Sequence, residues 1–312
     1  MSTGRQFRFA GSLQATPTGT EFNQAARRIE ALGYDTLLLA DHFEQDWFAV
    51  GPALAAAAAA TTTLRVGSLV YSNNFRHPAL LAREAATIDV LSNGRLELGI
   101  GAGYEAPEYV QTGINLPPPG ERVERLRETL AIIKGLWAPG PFTRTGAYHT
   151  INDMEGWPKP LQQPHPPIQV GGGGRRMLTL AAQEADIVGI IAQSAAGGGL
   201  HFGQDTHALV AQKVAWVREA AADRFGQLEL GALILKVTIT NHRRRAADEL
   251  AAAWGRITTD QVLESPYFLL GSLASVVEDV QRLREEHGIN YLTVFPTDVE
   301  TFAPVVAQLA GT

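Results

Sequence analysis

Asp41 and His42 follow directly on the apolar run Leu37, Leu38, Leu39, with Phe43 and Trp47 just beyond. An imidazole beside a carboxylate can be held in one tautomer and poised near neutral pH, as proton transfer requires. A lone histidine after a strand is commonly structural, and the adjacent acid tips His42 toward a catalytic role. Two glycine-rich segments carry a second signal. Leu96–Ile100 runs into Gly101, Ala102, Gly103, Tyr104 and Glu105, and Ile168–Val170 runs into Gly171–Gly174, Arg175 and Arg176. Side-chain-free backbone leaves N–H groups open to an approaching anion, and a helix starting at Arg175 adds its dipole and two guanidinium charges. Surface placement of one or both arginines is the plainer alternative. The order Gly99, Gly101, Gly103 is not a Gly-x-Gly-x-x-Gly dinucleotide fingerprint, and no acid follows about twenty positions on. Two such strand ends point to one phosphate-bearing cofactor.

After a third apolar run, Ser72 and Asn73 offer the uncharged hydrogen bonds that orient a heterocycle, while Asn74, Arg76 and His77 read as the turn capping a helix from Pro78. Tyr104 and Glu105 offer a phenol and a carboxylate. His149, His165, His201, His207, His242 and His287 show no ligand spacing, so no metal site is expected. A Gly-x-Ser-x-Gly elbow and a Walker sequence are both lacking.

Short β-rich runs alternate with segments of helical period along the chain, the pattern of βα units around a parallel sheet. The candidate strands are Phe7–Leu13, Thr36–Leu39, Leu64–Tyr71, Leu96–Ile100, Ile168–Val170, Ile187–Ile191, Leu230–Thr240 and Tyr291–Phe295. Eight strands with intervening helices predict an α/β fold, a (β/α)8 barrel; an open doubly wound sheet is the runner-up. Thr20 and Gly33 bracket one predicted helix, Ser272 and Gly288 another, and Asp205 opens a third through Phe225. Ala53–Ala60 reads as a tightly packed helix. Ala138–Pro167 and the loop from Ser194 to Gln204, with Gly197–Gly199, are candidate lids or pocket walls at the C-terminal face, or else plain solvent loops.

The 312 residues are 45% hydrophobic, a composition and length that α/β barrels use as a single domain, here 1–312. A net charge of -6, from 26 basic and 32 acidic residues, argues against a nucleic-acid or anionic-membrane partner and for a small molecule. With no cysteine, thiolate chemistry and Cys-ligated metals are excluded. Met1–Phe9 lacks the pattern of a secretory signal, which predicts a cytoplasmic location.

These residues in this order resemble the luciferase-like superfamily, and within it the coenzyme F420-dependent oxidoreductases. The matching pieces are Asp41-His42-Phe43, Phe75-Arg76-His77-Pro78, Ser92-Asn93-Gly94-Arg95 with Gly99–Tyr104, Arg122 with Leu126 and Leu136-Trp137, Pro158-Lys159-Pro160, Pro164–Pro167 before Gly171–Gly174, and Ala185-Asp186. The resemblance implies a barrel holding a flavin-like ring at its C-terminal mouth, with hydride passing between ring and substrate. It makes His42 the proton donor or acceptor, Asp41 and Ser72 cofactor contacts, and Gly101, Ala102 and Gly103 with Gly172, Gly173, Gly174, Arg175 and Arg176 the phosphate side. Members often carry a non-prolyl cis peptide in the third strand, here Leu69–Val70, as a bulge against the ring. Trp47, one residue later than the family's tryptophan, is the candidate substrate contact. Where sugar-phosphate dehydrogenases place a glutamate after the glycine loop, this chain has Tyr104 and then Glu105. The implied activity is F420-dependent reduction, or the reverse oxidation, of a small carbonyl, imine or activated alkene by a homodimer. An FMN-dependent monooxygenase and a non-catalytic flavin- or F420-binding protein are the competing readings.

Overall fold

The computed structural model describes residues 5–43, 47–193 and 205–312. Eight parallel strands form its centre: β1 (Arg8–Ser12), β2 (Thr36–Leu39), β3 (Arg65–Ser68), β4 (Leu96–Gly101), β5 (Ile168–Gly172), β6 (Ile187–Ile190), β7 (Glu229–Ile234) and β8 (Ile289–Val294). Each pairs with its sequence neighbours, β8 pairs with β1, and Val66 opposite Leu96 joins β3 to β4, so the sheet closes into the expected barrel. Closure leaves no free edge.

Eleven helices follow among the described residues: α1 (Gly19–Ala31), α2 (Val50–Ala60), α3 (Pro78–Leu91), α4 (Ala106–Thr112), α5 (Pro119–Trp137), α6 (Arg175–Glu184), α7 (His207–Ala221), α8 (Arg243–Trp254), α9 (Thr259–Glu264), α10 (Leu273–His287) and α11 (Val299–Leu309). Most of the apolar core lies between these helices and the strands, while Ala10, Leu38, Ile187 and Tyr291 form a smaller cluster against which Leu69 packs. The alanine-rich α2 buries Ala53, Leu54, Ala57 and Ala58, its small side chains permitting close approach. Among the described residues no helix is long and apolar enough to cross a membrane.

Several sequence expectations are corrected. Thr18, not Thr20, caps α1, because its extended backbone lets its hydroxyl accept from Glu21 N while the Glu21 carboxylate accepts from Thr18 N. Thr206, not Asp205, caps α7, which ends at Ala221; Asp205 is buried in an ion pair with Lys213 instead. The run Leu64–Tyr71 breaks at the cis Leu69–Val70 peptide, after which Tyr71 and Ser72 pair with Ile100 and Gly101. Leu230–Thr240 also divides: Lys236–Ile239 leaves the barrel to pair with Phe268–Gly271. Ser272 and Gly288 bracket α10 as expected.

Charge plugs the N-terminal end of the barrel. Glu97 is 1% exposed and accepts hydrogen bonds from Arg8, from Arg65 Nε at 2.6 Å and from the Tyr291 hydroxyl at 2.9 Å. Arg8 also reaches Glu229 at 2.7 Å. Burial pushes the Glu97 carboxyl up, but the charges of Arg8 and Arg65 outweigh it and hold the group below its ordinary 4.5. Replacing Glu97 with Ala is expected to cost about 3–5 kcal/mol in urea unfolding, since two guanidinium groups lose their shared counter-charge. A carboxyl depressed by folding contributes stability above its unfolded value and loses it as pH falls through the folded one. Wild-type stability should therefore drop on acidification below about pH 4.5 by an increment that Glu97→Gln lacks, which denaturation across pH would measure.

Candidate active site at the barrel mouth

A cleft of about 540 Å³ opens where the strands end at their C-terminal side, the position that carries function in such barrels. Both glycine-rich segments reach it, Gly101–Glu105 from β4 and Gly171–Met177 from β5, together with Asp41, His42, Leu69, Val70 and Ser72. The first turns of α4, α5 and α6 all border it. Each brings unpaired N–H groups and the positive end of a helix dipole.

His42 does not pair with Asp41. Its Nδ1 lies 2.9 Å from Oε1 of Glu108, a buried carboxylate on α4 that also accepts from Phe43 N at 2.9 Å. Nδ1 is engaged there, and Nε2 is the ring nitrogen left for a ligand. Glu108 thus supplies the orienting acid that Asp41 was expected to provide. The Asp41 oxygens are taken by other donors. Asp41 takes Arg76 in a two-pronged ion pair, with Nη2 to Oδ1 at 2.9 Å, and accepts from Ser72 N at 3.0 Å. Burial alone would lower the Arg76 guanidinium, yet the hydrogen bonds and charge of Asp41 raise it. This tie fixes the chain on the far side of the Leu69–Val70 break.

Tyr109, also on α4, is buried and shares a 2.9 Å hydrogen bond with the Ser72 hydroxyl. Asn74 Nδ2 donates to Tyr109 at 3.1 Å and to Ala102 O at 2.9 Å, so both the hydroxyl of Ser72 and the amide of Asn74 build the wall. Tyr104 stands edge-on to His42 with ring centroids 6.2 Å apart, and Glu105 precedes α4 at the cleft. Trp47 does not line the cleft; its ring lies 6.1 Å from that of His42.

The glycines divide in role. Gly99 belongs to the barrel wall, where a Cβ would stand 1.9 Å from the Ser68 carbonyl oxygen. Gly173 lets the chain pass the 192–193 backbone, at 2.4 Å from Gln193 N to a hypothetical Cβ. Arg175 and Arg176 open α6 beside the cleft, but their guanidinium groups turn outward to Glu219 and Glu124, at 2.9 Å each. The cation that faces inward is one that sequence reasoning placed only on a helix: Arg122 of α5. It donates to Gly103 O, forms no ion pair among the described residues, and leaves its buried Nε without a partner. Burial lowers its pKa, with the Tyr109 phenol opposing, from a value high enough that it stays cationic. Gln169, on β5, likewise has an unpartnered buried Oε1 at the cleft. Among described residues, nothing from Ala138–Pro167 lines the cleft: Pro141–Thr145 and Thr150–Glu155 form a hairpin packed on α5, its tip pinned by Glu128. The 194–204 loop and His201 lie outside the described residues.

Glu108 carried one signal in the sequence. A helix opened by Pro107 sets positions 108, 109 and 112 on one face behind the glycine loop.

The model of the luciferase-like monooxygenase family matches residues 4–292, and the chain belongs to that family. Among curated relatives, an F420-dependent glucose-6-phosphate dehydrogenase of Microbacterium testaceum is 35% identical over 165 residues, 50% of this chain and 48% of that one. An uncharacterized protein of Mycobacterium tuberculosis is 37% identical over 121 residues, 39% and 42% of the two chains. The matched stretch spans about half the length of the first of these relatives. Among solved structures, an F420-dependent secondary alcohol dehydrogenase in complex with an F420-acetone adduct superposes with a TM-score of 0.78 at 19% identity, covering 98% of this chain and 99% of that one. A monooxygenase, RslO1 from Streptomyces bottropensis, gives 0.74 at 20% identity over 97% of each.

Gly103 has φ +78°, and a Cβ there would lie 2.0 Å from the Tyr109 hydroxyl and 2.9 Å from Ser72 Oγ. Gly103→Ala is therefore expected to cost about 1–3 kcal/mol in chemical denaturation. An unchanged midpoint would mean that the Ser72–Tyr109 contact does not hold the loop.

Proposed function

We propose that this protein is an F420-dependent oxidoreductase acting on a small carbonyl, imine or activated alkene. One observation carries the reading: two side-chain-free strand ends and a histidine backed by a buried carboxylate converge on a single cleft. The F420-dependent relatives support the choice of cofactor.

The residues present fit such a group. The mouth offers the N-terminus of α6, the orphaned Nε of Arg122 and the open backbone at Gly172–Gly174 for an anionic tail. Leu69 and Val70 offer an apolar surface for a ring, and Gln169 offers a free carbonyl oxygen. Gly101, Ala102 and Gly103 border the same space. Asp41 acts on this site through Arg76 and Ser72 N, and Arg175 and Arg176 act through the helix start rather than their side chains.

Bound there, coenzyme F420 would exchange a hydride with the substrate. His42 would exchange the proton at Nε2, giving it to the oxygen or nitrogen of a substrate being reduced and taking it in the reverse direction. Glu108 fixes the ring and balances the charge of the imidazolium. The crowded apolar surround of Phe75, Tyr104 and Tyr109 keeps water from competing for that proton. Trp47, placed beside His42 but outside the cleft lining, acts on the site through the His42 ring in this reading, and Glu105 is the second acid at the rim.

His42→Ala is expected to lower turnover by about 10²- to 10⁴-fold with F420 affinity within a few-fold of wild type. Equal loss of both would remove His42 from proton transfer. Arg122→Ala should weaken F420 about tenfold or more in fluorescence titration, the worth of a charged hydrogen bond. Titrating the apoprotein separately with F420 and FMN decides the cofactor: tight FMN binding without F420 binding would favour the monooxygenase reading.

A further inference from the structure

The fold joins three residues that no spacing rule would connect. His207 is the first residue of α7, and Glu286 and His287 lie at the end of α10. His207 Nδ1 is 3.1 Å from His287 Nε2 and 3.3 Å from Glu286 Oε2, and His287 Nε2 is 3.8 Å from the same oxygen. Two of these edges match the separations of roughly 3.3 Å between ligands of a tetrahedral ion with bonds of about 2.0–2.1 Å, and the third is about half an ångström longer. A circle through the three atoms has a radius of about 2.0 Å, so an ion near its centre reaches all of them at bonding distance.

We propose that His207, Glu286 and His287 bind one divalent transition-metal ion, with Zn²⁺ the natural probe. His287 is 5% exposed, and its Nδ1 has no hydrogen-bond partner. Its polar contacts thus all run through Nε2, toward the other two ligands. The Glu286 oxygen that closes the triangle is what sets the cluster apart from a simple imidazole pair. His207 and Glu286 have side chains 36% and 50% exposed, which gives an ion a path in from solvent. A groove of about 390 Å³ borders His207. The pairing of two imidazoles with one carboxylate suits Zn²⁺ and its neighbours rather than Mg²⁺ or Ca²⁺. The ion would fasten the start of α7 to the end of α10. The spacing of the histidines led to an expectation of no metal site, because the ligands are about eighty positions apart and meet only in the barrel's outer ring.

The test uses the untagged, metal-stripped protein without cofactor, so its outcome is independent of the deazaflavin reading. Calorimetric titration with Zn²⁺ is expected to show one equivalent bound at micromolar affinity or tighter, and the melting temperature should rise with added Zn²⁺. Co²⁺ should give the visible bands of a tetrahedral site. His207→Ala and Glu286→Gln alter a half-buried and an exposed side chain, and each should weaken Zn²⁺ by at least about tenfold and remove the shift in melting temperature. No stoichiometric binding to the wild type, or binding of undiminished strength in His207→Ala, would overturn the proposal.

Discussion

The contact between His42 and Glu108 is the constraint on which the site depends. It joins the end of β2 to the first turn of α4, 66 residues away, and Phe43 N anchors the same oxygen. A carboxylate this buried is costly unless its acceptor positions are filled, so the two donors from the β2 end and the α4 acid require each other. The ring is thereby fixed in direction as well as place. Without that fixture a histidine at the rim would be a solvated side chain with many rotamers.

A second tie repeats the logic one strand over. Asp41, Arg76 and Ser72 N hold the chain where β3 breaks, and Tyr109 reaches back from α4 to Ser72. The helix α4 therefore braces both strand ends through adjacent residues. Charge at the opposite end of the barrel does different work: Arg8, Arg65, Glu97 and Glu229 satisfy one another and leave nothing for a ligand. At the mouth, Arg122 Nε and Gln169 Oε1 remain unsatisfied. Paired charges below and open polar groups above separate stability from binding in this molecule.

The barrel was legible because its strands are short apolar runs at regular intervals, and Ser272 and Gly288 marked α10 by local chemistry alone. The cleft's outline was legible for a similar reason: glycines after strands leave few structural choices. Partners were not. Asp41 is adjacent to His42 in sequence, but the proximity of Arg76 to one and of Glu108 to the other sends the two side chains to different neighbours. Arg175 and Arg176 read in sequence as an anion clamp, but the acids Glu219 and Glu124, on other helices, claim them. Arg122 reads in sequence as one more helix arginine, and only the packing of α5 against Gly103 reveals it as the inward-facing cation. Charge pairing is a property of the assembled ring of helices, and no local pattern encodes it.

The most direct test of the convergence on one cleft is the structure of this chain crystallised with F420. The account predicts the anionic tail at the start of α6 within reach of Arg122, and the deazaflavin ring against Leu69 and Val70 with its face toward His42. A cofactor bound with its tail away from residues 172–176, or its ring out of reach of His42, would contradict it.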